Sequence, residues 1–243
     1  MHATGETETL RSARMETNQV LHAMSDSTPL AQPGVSSRAD QLRASPPLFA
    51  SPWMDRLTRV HPGVPVAIFL PASAALAVLA AAQVGVLALV GLVVAGYVLW
   101  TLTEYWMHRL VFHFEPSGGI GARMHHLIHG VHHDHPSDPR RLLMPPTASV
   151  PLAGLFLLVF WLVLGDGLWA GVGSGFLAGY LVYDMTHYWL HHRAPQGRIG
   201  RYLREAHMRH HFQDDTTAFG VSAPYWDTVF GTAPSKRAAR PRD

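Results

Sequence analysis

The chemistry of this 243-residue chain is concentrated in its histidines. There are 17 of them, and all but His2, His22 and His61 lie between positions 108 and 211. They read HRLVFH (108–113), HHLIHGVHHDH (125–135), HYWLHH (187–192) and HMRHH (207–211). A neutral imidazole offers one ring nitrogen lone pair to a borderline metal ion. On an α-helix, positions i, i+3 and i+4 share a face. His129, His132 and His133 have that spacing, as do His207, His210 and His211. His187 and His191 form an i, i+4 pair, the spacing with which the two histidines of HExxH grip one zinc. His108 and His113 are five apart, about 140° around an ideal helix, which suits two different metals or a helix that ends between them. One ion takes about four to six ligands, so these ten imidazoles overfill one site and fit two.

The rest of the ligand inventory narrows the site. The chain has no cysteine, which excludes thiolate metal sites, thiol nucleophiles and disulfides. Only Asp134 and Glu205 lie in or beside the histidine segments, unlike the Glu and ExxH ligands of soluble di-iron bundles. The expectation is a dinuclear, all-histidine centre. Imidazole suits iron, zinc, copper and nickel alike, and redox-inert zinc could hold a fold or activate water but not oxygen. His125, His126, His135 and His192 stay open between ligand and ordinary core or surface residue.

The elements that must position these histidines are membrane helices. Positions 64–103 hold 40 residues without a charge, and 142–183 carry only Asp166. About 20 residues span a bilayer, so each tract fits two helices. Gln83-Val84-Gly85 and Asp166-Gly167 are the natural turns. The expected fold is all-α and integral to the membrane, with four transmembrane helices in two hairpins and a cytoplasmic helical cap around the metals. Every lysine and arginine lies outside the two tracts, which places both termini and the histidine segments on the cytoplasmic side. The same tracts explain why only 15% of residues are charged where a soluble protein has roughly 25%. The pI of 9.2 accompanies a net charge of only +2, and the chain has no basic stripe with interleaved aromatics, so nucleic acid is not an expected partner.

Residues 1–55 read as a disordered cytoplasmic tail, 56–233 as the membrane domain and 234–243 as a C-terminal tail. Pro145-Pro146 breaks the chain before the third span. Asp184, one turn before His187, is either an acceptor that orients it or an ordinary polar residue at a helix end. Trp226 and Phe230 are expected to pack the cap onto the membrane helices. Arg140, Arg141 and Arg209 are expected to anchor at the interface, with carboxylate or phosphate binding as the alternative.

Taken together, EYWMHRLVFH (104–113), HGVHHDHPSDPRRLLMPP (129–146), YDMTHYWLHH (183–192), HMRHHF (207–212) and GVSAPYWDTVFGT (220–232) resemble the fatty acid hydroxylase superfamily of membrane oxygenases. Within it they are most similar to the fatty acid 2-hydroxylase branch. The resemblance runs from about residue 60 to 233. It implies metal ligation by His108, His113, His129, His132, His133, His187, His191, His207, His210 and His211, with no separate catalytic acid or base. It implies two metal ions, iron for the working enzyme with zinc the other possibility. The implied reaction is O2-dependent hydroxylation at C2 of a long acyl chain, free or in a sphingolipid-type lipid. Several members carry a fused cytochrome b5-like donor, which residues 1–50 do not resemble. A separate ferredoxin, or a cytochrome b5-like protein with its reductase, is then the expected electron partner. A sterol, carotenoid or other polar lipid is the alternative substrate, and a metal transporter or sensor the alternative of another class. A transporter places ionisable residues along a path inside its spans, and these tracts are nearly free of them. The Ala- and Arg-rich composition with one lysine points to a bacterial inner membrane, the endoplasmic reticulum being the eukaryotic counterpart.

Overall fold

The computed structural model describes residues 37–114 and 116–235. Among them there is no strand. Two short helices, α1 (Arg38–Arg43) and α2 (Pro52–Leu57), precede the long helices α3 (Gly63–Ala81) and α4 (Val86–Trp106). A histidine-rich stretch holds α5 (Gly119–His125) and α6 (Val131–Asp134). Two further long helices follow, α7 (Pro146–Leu164) and α8 (Leu168–His192), then α9 (Arg198–Phe212) and α10 (Tyr225–Val229).

The long helices form where the sequence offers continuous Ala, Val and Leu with no polar face. Such a helix needs apolar surroundings on all sides. Three are long and apolar enough to cross a membrane: Gly63–Ala81, Val86–Phe112 and Pro146–Leu164. Their outward side chains are bare hydrocarbon; Leu87 is 87% exposed and Val163 74%, as lipid-facing residues of a span would be. The turns fall where the sequence puts them. Gly85 caps the start of α4, and Gly165 and Gly167 take positive φ between α7 and α8. Pro145 precedes the first residue of α7, Pro146, where a missing N–H costs nothing.

The helix α8 is where hydrophobicity alone does not supply the fourth expected span. It has 25 residues, yet it is not among the helices apolar enough to cross a membrane. The reason is its position. α3, α4 and α7 all pack on α8, so it faces protein rather than lipid and carries Gly, Ser, Tyr, Asp184 and His in place of Val and Leu. Gly171, Gly175 and Gly179, spaced four apart, let α4 approach closely. A Cβ on Gly175 would lie 1.9 Å from the Val93 carbonyl oxygen, and one on Gly96 would lie 2.0 Å from that of Val172. On the α3 side, Ser73 Oγ donates to the Ser174 carbonyl at 2.8 Å. Phe69, Phe160, Val172, Phe176, Leu177 and Tyr180 form the core between these helices.

Within the expected N-terminal tail, residues 39–55 are folded onto the histidine loop. Asp55 is buried and is the reason. It pairs with Arg141 at 2.6 Å and Arg59 at 3.0 Å and accepts the Leu48 N–H at 2.8 Å. Arg141 also reaches the Pro46 carbonyl. Residues 1–36 and 236–243, the remainder of both expected tails, lie outside the described residues.

The Gly175 contact makes a direct prediction. Gly175→Ala forces α4 and α8 apart and should cost at least about 3 kcal/mol. Gly91→Ala, with nothing within 4 Å of its Cβ, should be neutral or slightly stabilising. Thermal unfolding of the two variants in one detergent checks the contrast.

Candidate metal centre

The ten histidines come together as two groups of five. One holds His108, His113, His129, His133 and His210; the other holds His132, His187, His191, His207 and His211. Within each group one candidate nitrogen per residue lies within 4.8 Å of all the others.

Local backbone geometry produces this sorting. Beyond Trp106, α4 runs on as a π-helical turn over Met107–Phe112, and the His113 N–H donates to the His108 carbonyl at 3.2 Å. An i→i+5 turn stacks residues five apart. His108 and His113 therefore meet in one group, with Nε2 atoms 3.3 Å apart. Of the two alternatives drawn from an ideal helix, the pair shares one group rather than serving two, and the helix does end between them, at Phe112. A second π turn, His126–Gly130, precedes α6. There His129 and His133 face the first group while His132 turns to the second. On α9, His210 serves the first group and His207 and His211 the second. His187 and His191 occupy the last turns of α8.

The nitrogen spacing fits a metal. His113 and His210 Nε2 are 3.0 Å apart, and so are His129 and His133. In the second group the Nε2 separations are 3.0 Å for His132–His187, 2.8 Å for His191–His207 and 3.1 Å for His207–His211. A metal about 2.0–2.1 Å from each nitrogen, at octahedral or tetrahedral angles, sets adjacent donors about 2.8–3.4 Å apart. In the first group two tautomers are fixed. His108 Nδ1 donates to the Phe219 carbonyl and His210 Nδ1 to the Thr217 carbonyl, both at 2.7 Å. A carbonyl only accepts, so each Nε2 keeps its lone pair for the centre. In the second group, Nδ1 of His132, His207 and His211 is buried with no partner among the described residues.

Two carboxylates hold the loop that supplies those carbonyls, and neither has a role assignable from spacing. Asp227 accepts the Phe219 and Gly220 N–H groups at 2.8 and 2.9 Å and the Thr232 hydroxyl at 2.8 Å. Glu104 accepts the Ser222 N–H at 2.7 Å and its hydroxyl. Their signal in the sequence is position: Glu104 is the first charge after the 40-residue neutral tract, and Asp227 is the lone acid in an aromatic motif.

The other singled-out residues fall into place. Trp226 Nε1 donates to Thr101 at 3.1 Å and Phe230 stacks on Tyr105 at 4.9 Å, joining α10 to α4. Asp184 accepts from Tyr180 at 3.2 Å rather than orienting His187. Arg141 is engaged by Asp55, and Arg209 by Glu205 at 2.6 Å. His125 Nε2 donates to the Phe112 carbonyl and His135 Nδ1 to that of Gln41, each at 2.7 Å. His126 lies 3.7 Å from Asp134, and His192 packs on Tyr188 at 4.4 Å. None of these four enters either group.

A cavity of about 490 Å3 abuts both groups, bounded by His129, His132, His187 and Asp184 and otherwise mostly by hydrocarbon, including Met144 and Leu152. A narrower apolar pocket continues from it between α4, α7 and α8.

Burial and the neighbouring His187 and His191 push the pKa of His132 well below the ordinary value. Burial, then His210 and His125, brings His133 to about 4. A depressed imidazole pKa means that the unfolded chain binds the extra protons, so stability falls as pH drops below about 6.5. Metal-free protein should lose thermal stability steadily between about pH 7 and pH 5, and bound metal, which holds only the folded set of imidazoles, should offset that loss. Melting curves with and without chelator across pH test this; a flat profile in the chelated protein would contradict it.

Comparison with known proteins bears on the chemistry. The fatty acid hydroxylase family pattern matches residues 93–232. The dihydroceramide fatty acyl 2-hydroxylase FAH2 of Arabidopsis thaliana is 35% identical over 80% of this chain and 82% of its own. Its counterpart FAH1 is 40% identical, over 63% of this chain and 64% of its own. The fatty acid 2-hydroxylase of Homo sapiens is 39% identical, over 58% of this chain and 39% of its own. The chain thus spans less than two thirds of the last two. A solved structure, full-length scs7p with only its hydroxylase domain visible, superimposes with a TM-score of 0.75 at 34% identity, covering 82% of this chain and 79% of that one.

Proposed function

This chain belongs to the fatty acid hydroxylase family, and from that premise we propose that it hydroxylates C2 of long acyl chains, carried as fatty acids or in sphingolipid-type lipids. The observation that carries the proposal is the pair of five-histidine groups beside a mainly apolar cavity. Ten neutral donors suit two divalent ions, with ligands His108, His113, His129, His133 and His210 for one and His132, His187, His191, His207 and His211 for the other. When bound, a redox-active pair such as iron supplies the oxygen chemistry; zinc can fill the same ligand set without redox change. One oxygen atom enters the C2–H bond and the other leaves as water, consuming two electrons and two protons. A separate cytoplasmic ferredoxin or cytochrome b5-like protein with its reductase provides the electrons.

The residues of this chain do the positioning. The carbonyls of Phe219 and Thr217 hold His108 and His210 with Nε2 facing inward. Asp227 fixes the Phe219 backbone. The apolar walls of the cavity exclude water and hold the acyl chain against the histidines. We read residues 56–233 as the membrane domain. α8 would cross as a fourth helix shielded by the other three, completing two hairpins whose histidine ends form a cytoplasmic cap. The arginine-rich composition favours a bacterial inner membrane.

Expression in a host that lacks 2-hydroxylated lipids, followed by lipid mass spectrometry, tests the reaction. Wild type should yield 2-hydroxyacyl products. His132→Ala should lose at least about 100-fold in yield, beyond the roughly 10–100-fold expected for loss of a ligand's hydrogen-bond partner, and should purify with one metal in place of two. His192→Ala should keep both metals. No hydroxylated product from wild type, given reductant and lipid, would refute the reading. Zinc alone in an active anaerobic preparation would refute iron.

A further inference from the structure

The narrow apolar pocket shares Met107, Phe112, Met144, Leu152 and Tyr183 with the cavity beside the histidines, so the two form one path leading down between α4, α7 and α8. Three rings line its far part. Phe176 of α8 meets Trp100 of α4 edge-on at 5.1 Å and Phe156 of α7 at 4.8 Å, with Phe160 behind it at 5.1 Å. The rings are held by the helix scaffold. Phe176 is only 1% exposed, and Trp100 fits because position 179 is glycine, where a Cβ would lie 2.7 Å from the Trp100 Cβ. We propose that Trp100, Phe156 and Phe176 close the acyl pocket and set the length of chain that this protein accepts. The proposal rests on the hydroxylase reading above and adds a length limit to it.

The helix itself supplies the measure. Phe176 precedes His187 by eleven residues of α8, about 16 Å at a rise of 1.5 Å per residue. An extended hydrocarbon with C–C bonds near 1.5 Å advances about 1.25 Å per carbon, so about 13 carbons beyond C2 span that distance. The limit falls at an acyl chain of about 15 or 16 carbons. A longer chain must displace the rings or leave its end outside the pocket. Phe156 is the residue to change, because it is half-buried on the outer helix α7, whereas Phe176 is central to the core. Removing its ring opens about 4–5 Å, room for three or four more methylenes.

The test supplies wild type, Phe156→Ala and Phe156→Trp, as full chains in nanodiscs, with N-acyl sphingolipids of graded acyl length. Two quantities are read by mass spectrometry: the lengths of the 2-hydroxylated products and those of the lipids retained on the purified protein. Phe156→Ala should raise the ratio of longer to 16-carbon chains roughly tenfold in both readouts, and Phe156→Trp should move both toward shorter chains. Leu158→Ala, on the outward face of the same helix and 49% exposed, should match wild type. An unchanged length profile in both Phe156 variants overturns the ruler. A wild type that forms no hydroxylated product refutes the reaction, while the retained lipids still decide the ruler.

Discussion

Ten neutral imidazoles whose lone pairs converge on two points do not hold themselves together. Nitrogens 2.8–3.3 Å apart with lone pairs inward repel, and burying an imidazole removes its hydration without replacing it. The rest of the fold has to supply the force that keeps them there. That force comes from hydrocarbon: a core of aromatic and aliphatic side chains between the long helices, and the close approach of α4 to α8 across glycines. α4 and α8 both run into the histidine segments, so that packing deep in the bundle fixes the histidine positions at its mouth.

The two groups are built from shared elements, which couples them. The HxxHH of α6 and the preceding π turn gives His129 and His133 to one group and His132 to the other. The HxxHH of α9 gives His210 to one and His207 and His211 to the other. A shift of either element therefore disturbs both groups at once. In the first group His108 and His210 have Nδ1 tied to backbone carbonyls of the loop that Asp227 and Glu104 clamp, whereas in the second Nδ1 of His132, His207 and His211 has no partner among the described residues. The second group depends more on packing against α8.

What was legible in the sequence was what periodicity encodes. The i, i+3, i+4 histidines, the neutral tracts and the glycine turns all repeat with the helix or interrupt it, and the structure has them where the pattern puts them. The His108–His113 pair was ambiguous because a π turn changes the local period without any marker residue. α8 looked like one more lipid-facing span because a neutral tract does not reveal which helix its neighbours surround. Residues 39–55 looked like a tail because their anchor, Arg141, lies 86 positions from Asp55. Glu104 was invisible for the same reason, meeting Ser222 at a separation of 118.

The placement of the acids follows from the choice of ligands. Histidine is neutral, so a cation held by five imidazoles would keep its whole charge in a site poor in water, and nearby charges would be felt strongly. A carboxylate inside the ligand set would neutralise that charge directly. Here Asp227 and Glu104 act one residue behind, each saturated by backbone N–H and hydroxyl donors. A buried acid needs such partners, and in taking them Asp227 fixes the Phe219 carbonyl that orients His108. The acids thereby shape the site through hydrogen bonds while the donor set stays uncharged. The ten clustered histidines are legible from their spacing, whereas the carboxylates that hold the loop behind the first group carry no such mark.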